Sequence, residues 1–177
     1  MQLKETKETL NKFAKAVIQQ ARTNLTKSKK TVSGNLYRSL SYKLFDQSNT
    51  IGVNIMMDDY GAFQDKGVSG TKKKYNTPYS YKTKMPPPSA FSQWVVRRGL
   101  SGTRDEKTGR FLSRKSLQYA VAKNIFKYGI KPSLFFTTPF MREWAKLPEE
   151  LSVAFQDDAA DSVFKAIALI KSNNKEQ

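Results

Sequence analysis

Two short acid-bearing stretches contain the residues best suited to chemistry. Asp58, Asp59 and Asp65 fall within eight residues, and Asp105, Glu106 and Lys107 form an acid–acid–lysine tripeptide. Metal-dependent nucleases use such groups, because carboxylates hold Mg²⁺ while a lysine stands near the attacked phosphate. That chemistry needs the tripeptide on a strand with a partner acid shortly upstream. Here it lies between Gly102 and Gly109, and no acid occurs between Lys66 and Arg104. The expected reading is a solvated charged loop. With no cysteine and no histidine in the chain, a thiol nucleophile, an imidazole base, a disulfide and a Cys/His metal centre are excluded. A non-enzymatic protein without a cofactor is the expectation.

Charge points to partners. The chain of 177 residues carries 31 Lys and Arg against 15 Asp and Glu, a formal net charge of +16. Residues 66–115 hold thirteen basic and two acidic side chains, so +11 of that charge lies there. Lys72, Lys73 and Lys74 form one cluster, and Arg97, Arg98, Arg104, Lys107, Arg110, Arg114 and Lys115 follow. Such groups release counterions from nucleic acid and bind it without sequence preference. No recognition helix, finger or stacking motif accompanies them, and Tyr75, Tyr79 and Tyr81 read as loop anchors. Residues 141–161 have the opposite sign, two basic against six acidic. Glu149, Glu150, Asp157, Asp158 and Asp161 make that segment a candidate acidic interface, and opposite faces on one molecule suit head-to-tail or ring association.

The length fits one domain over residues 1–177. Leu10, Phe13, Ala14, Val17, Ile18, Ala21 and Leu25 recur at helical spacing and predict an amphipathic helix over about residues 4–27. The basic step through Lys29 and Lys30 breaks it, and Ser33 offers an N-cap for a short turn, NLYRSL. Alternation in SLSYKLF and TIGVNIMM, joined by DQSN, predicts a β-hairpin with Leu40, Tyr42 and Leu44 opposite Ile51, Val53 and Ile55. The first helix is expected to cover one face of it. A turn follows at DDYGAFQDKGVSG, then a basic, tyrosine-bearing excursion over residues 70–84.

Pro86, Pro87 and Pro88 start a short helix whose Phe91, Trp94 and Val95 fall at i, i+3 and i+4, with Gly99 as its stop. It is expected to dock Trp94 and aim Arg97 and Arg98 outward. After a second basic loop, Ser113 caps a helix carrying Leu117, Val121, Ile125 and Tyr128, closed by Gly129. LFFTTPF predicts an edge strand shortened by Pro139. A last helix should turn Phe155, Val163, Phe164, Ile167 and Ile170 inward before a frayed tail, the two together filling residues 147–177. The fold class is α+β: a long N-terminal helix on a small antiparallel sheet of hairpin plus edge strand, an inserted proline-led helix within a basic, loop-rich segment over residues 66–115, and further C-terminal helices.

Four of these segments in this order carry a resemblance. SGNLYRSL, DYGAFQDKG, MPPPSAFSQWVVRRGL and SLQYAVAKNIFKYGIKPSLFFTTPF resemble the neck and tail-completion (head-to-tail joining) proteins of tailed bacteriophages, over about residues 10–144. The resemblance implies an α+β subunit whose copies form a homo-oligomeric ring in the virion neck, between portal-side and tail-side proteins and around the path of genomic DNA. It also implies structural roles. Gly34, Leu36 and Ser39 would shape the helix-to-strand turn, Tyr60, Phe63, Asp65 and Gly67 the turn after the hairpin, and Phe136, Pro139 and Phe140 a packed closing segment. Gln64 with Asp65 departs from the apolar residue and glutamate of many relatives. No run approaches the roughly 20 apolar residues of a membrane span, and the first residues lack the apolar stretch of a signal peptide. Synthesis in the host cytoplasm, residence in the virion and no membrane partner are therefore expected. The rival reading is a DNA-binding accessory protein acting as a monomer.

Overall fold

The computed structural model describes residues 3–28, 33–47, 50–100 and 102–173, with the side chains of residues 170, 172 and 173 excepted. The expectations for Lys29 and Lys30, for the Ser48–Asn49 tip, for the inward placement of Ile170 and for the tail beyond Asn173 lie outside those residues.

The fold is α+β. Helix α1, Lys4–Lys27, buries all seven residues of its predicted stripe. Leu40, Leu36 and Phe135 close on the Ile18, Ala21 and Leu25 end, and Leu147 closes on the Leu10, Phe13 and Val17 end. Each large side chain so covered contributes about 1.5–3 kcal/mol of burial. α2, Asn35–Ser39, starts one residue later than expected: Gly34 occupies the cap position at φ 71°. The Ser33 hydroxyl instead accepts from the Asn35 N–H at 3.2 Å.

β1, Ser41–Gln47, and β2, Thr50–Met56, pair antiparallel with Tyr42 opposite Ile55 and Leu44 opposite Val53. Period-2 alternation thus sets the register, and the Ile51, Val53, Ile55 face packs toward α1. The Tyr42 phenol donates to Asn11 Oδ1 of α1. Leu40 lies just before the strand as the buried cap of α2, and Leu44 is half-exposed.

The segment after the hairpin is a helix, α3, Tyr60–Lys66, rather than a turn. The excursion from Gly70 is a loop fastened by its backbone to the end of α5, Arg114–Tyr128. Thr71 N donates to Phe126 O at 2.9 Å and Lys72 N to Lys127 O at 2.8 Å, satisfying carbonyls that the helix end would leave open. Gly129 makes the approach possible: at φ 72°, a Cβ there would sit 2.0 Å from Val68 O. Ser113 caps α5 as predicted, accepting from Ser116 N at 3.1 Å, whereas Tyr128 is exposed rather than inward. The prolines lead through a 3-10 turn, Pro88–Phe91, into α4, Ser92–Arg97. Val95 is its buried anchor at 0% exposure, while Trp94 is 36% exposed with the Arg98 guanidinium 5.7 Å from its ring centre.

The expected edge strand is absent. Among the described residues the sheet has two strands, and the LFFTTPF segment runs into helix α6, Thr137–Trp144. Pro139 falls in the first turn of α6, where a missing N–H costs no hydrogen bond, and Leu134 at φ 51° ends extended chain before it. α7, Leu147–Asn173, departs most from expectation: Phe155, Val163, Phe164 and Ile167 face solvent. Its buried positions are Leu147, Ala154 and Asp158.

Candidate assembly interface

The motif residues are scaffold. Gly34 and Leu36 hold α2, and the Ser39 hydroxyl donates to Leu36 O and accepts the Asp58 N–H at 3.1 Å, tying α2 to the end of β2. Phe63 meets Tyr79 edge-on at 4.6 Å, which explains why that tyrosine anchors the loop. Gly67 ends α3 at φ 75° with its Cα against Ile130 O and Pro132. Phe136, Phe140 and Trp144 stack in succession at 5.7 Å, with the Phe13 ring edge-on to Phe140.

Two aspartates act as helix caps supplied from elsewhere in the chain. Asp65, 2% exposed, accepts from Phe136 N at 2.8 Å, Thr137 N at 3.2 Å and the Thr137 hydroxyl, at the start of α6. Asp158, also 2% exposed, accepts from Glu5 N and Thr6 N at 2.9 Å and from the Thr6 hydroxyl at 2.7 Å, at the start of α1. Neither helix has a capping side chain of its own, since Leu3 and Phe136 stand at the cap positions. A carboxylate there meets both the open N–H groups and the positive end of the helix dipole. Asp158 therefore leaves the acidic interface: it is consumed inside the subunit. Burial pushes its pKa up, but the Thr6 and Glu5 N–H groups and the Thr6 hydroxyl together hold it below the usual range.

The other acids remain outside. Glu149, Glu150 and Asp157 line a shallow depression with Glu5 and Lys12, and Asp161 is exposed. Asp105 closes its own loop, accepting from Thr108 N at 2.8 Å, the Thr108 hydroxyl at 2.9 Å and Lys107 N at 3.2 Å. Those bonds, led by Thr108 N–H, lower its pKa. Its carboxylate thus serves a turn, and that of Asp65 serves α6. Asp58 and Asp59 lie at the entry to α3.

The basic residues all reach solvent but divide between two places. Lys72, Lys73 and Lys74 sit on the loop fastened at the C-terminal end of α5. Arg104, Lys107 and Arg110 sit on the loop leading to its N-terminal end, with Arg104 over the Phe111 ring at 4.3 Å, and Arg114 and Lys115 are in its first turn. A helix of 15 residues separates those ends by about 20 Å. Cations in a first turn oppose the helix dipole, so Arg114 and Lys115 add nothing to α5 itself. Arg97 and Arg98 close α4.

The feature missed in the sequence is the outer face of α7. At 3.6 residues per turn, Val153, Val163, Phe164 and Ile167 form a stripe centred roughly 150° from the packed positions Leu147, Leu151, Ala154 and Asp158. The signal was present as two apolar phases in one helix; only one of them can face α1. Solvent reaches 69% of Phe164 and 58% of Val163. No family model, no curated protein and no solved structure matches the chain.

Proposed function

We propose that the chain is a non-enzymatic structural subunit of a tailed-bacteriophage neck, assembling with further copies into a ring that joins the portal side to the tail side. The observation that carries the reading is the second apolar stripe of α7: a helix with large side chains on two opposite faces is made to be covered twice. The order of the four sequence segments supplies the neck, and the net charge of +16 suits a place beside the genome. A stop codon early in the reading frame should leave DNA-filled heads and free tails in the lysate. Joined, infectious particles from that mutant would remove the proposal.

In this reading the basic loops face DNA or an acidic ring without reading sequence. Replacing Lys72, Lys73, Lys74, Arg104, Lys107 and Arg110 by Gln should leave the melting temperature within about 2 °C of wild type, because exposed charges contribute little to stability. It should also lower the slope of log K against log salt for duplex DNA by several units, roughly 0.9 for each phosphate that the protein no longer neutralises. An unchanged slope assigns the loops to protein docking. A protein that binds DNA tightly as a monomer and is absent from particles fits the accessory reading.

A further inference from the structure

We infer that the apolar stripe on the last turns of α7 docks into a groove on a second copy of this chain, between α2, α3 and the proline-led helix, so that subunits join head to tail. This deepens the assembly reading above and rests on it. The ridge comes first. Leu147 packs among Leu10, Phe13 and Val17, while Asp158 caps Glu5 and Thr6, so α7 runs antiparallel to α1 and passes its first turn at Asp158. The helix continues to Asn173, an arm of about 22 Å. No residue of the arm with a described side chain is buried.

The groove has a volume of about 580 Å³ and is lined by Leu36, Tyr37, Ala90, Phe91, Trp94 and Ile130 among others. That is room for a few large side chains on one helical face, the recurring way in which an amphipathic helix is recognised. Trp94 is partly uncovered in the subunit, although it lies beside the buried Val95. An incoming Phe164 would complete its burial.

Charge selects a second copy as the occupant. Asp157 and Asp161 flank the stripe on the arm, and both are exposed. Arg38 lies against Gly34 at one rim of the groove, and Arg97 and Arg98 lie at the end of α4 on the other. Ridge and groove are different surfaces of the same molecule, so the contact is heterologous and repeats from copy to copy. A ring closes if the rotation permits.

The test uses the full chain and two substitutions at exposed positions, Phe164→Asp on the arm and Ala90→Arg in the groove, with unchanged melting as the folding control. Wild type should associate in a concentration-dependent manner by sedimentation velocity. Each variant should raise the dissociation constant at least about tenfold. An equimolar mixture of the two should recover a species of two copies and go no further, because one intact arm meets one intact groove. If Phe164→Asp abolishes association while Ala90→Arg leaves it unchanged, arm pairs with arm and the proposal fails, with the neck assembly still standing. Wild type that remains monomeric at about 100 µM also overturns the contact, whereas the stop-codon phenotype judges the neck role independently.

Discussion

Asp65→Ala should lower the stability of the subunit by about 3–4 kcal/mol, a fall of roughly 6–16 °C in melting temperature for a chain of this size. The carboxylate is almost fully covered and receives two backbone N–H groups and a hydroxyl at the start of α6. Alanine leaves those donors unsatisfied, which costs more than the lost bonds alone. The same residue's carbonyl accepts Ser133 N at 3.0 Å and Leu134 N at 2.9 Å, so α3 and the approach to α6 are held as one unit. Since α6 carries Phe136, Phe140 and Trp144 onto Phe13, losing the cap should loosen the core around Phe13 as well. Asp65→Asn keeps the shape and one acceptor oxygen, and should lose about half as much. Thermal unfolding by circular dichroism measures both; an alanine variant within about 2 °C of wild type would show that the cap is dispensable.

Asp158→Ala should cost about 2–3 kcal/mol, because it removes a charged acceptor from three donors at the start of α1. It should also release the arm of α7, whose last buried contact with α1 is this one. The acid response follows from the lowered pKa. A carboxyl depressed in the folded state contributes stability that is complete above its unfolded value, about 3.9, and is lost as pH falls through the lower folded value. The stability difference between wild type and Asp158→Asn should therefore be constant from neutral pH to about 5 and shrink steadily below about 4. Urea unfolding at several pH values gives that difference directly. A gap that widens on acidification would contradict the assigned role.

Elements that depend on local periodicity were legible in the sequence. The stripe of α1, the hairpin phase and the Ser113 cap each need only residues a few positions apart, and each forms where the pattern places it. Features set by distant residues were not. Asp65 reaches 71 positions along the chain to cap Phe136 and Asp158 reaches 152 to cap Thr6, so a polar residue that reads as a turn or a surface acid turns inward. The same distance effect explains α6. LFFTTPF has strand-like composition, but a cap from α3 and a proline in the first turn favour the helix. In α4, three apolar residues compete for one docking position, and the small Val95 takes it while Trp94 stays at the rim. For α7, one helix has two apolar faces, and spacing alone does not say which one the subunit covers.

The assembly account comes down to where the protein resides and in how many copies. Quantitative mass spectrometry of purified particles, with antibody labelling imaged at the head–tail junction, measures both together. The account predicts a fixed copy number above one per particle, with label confined to the neck. Particles that are infectious and contain none of this protein, or a single copy per particle, would contradict it.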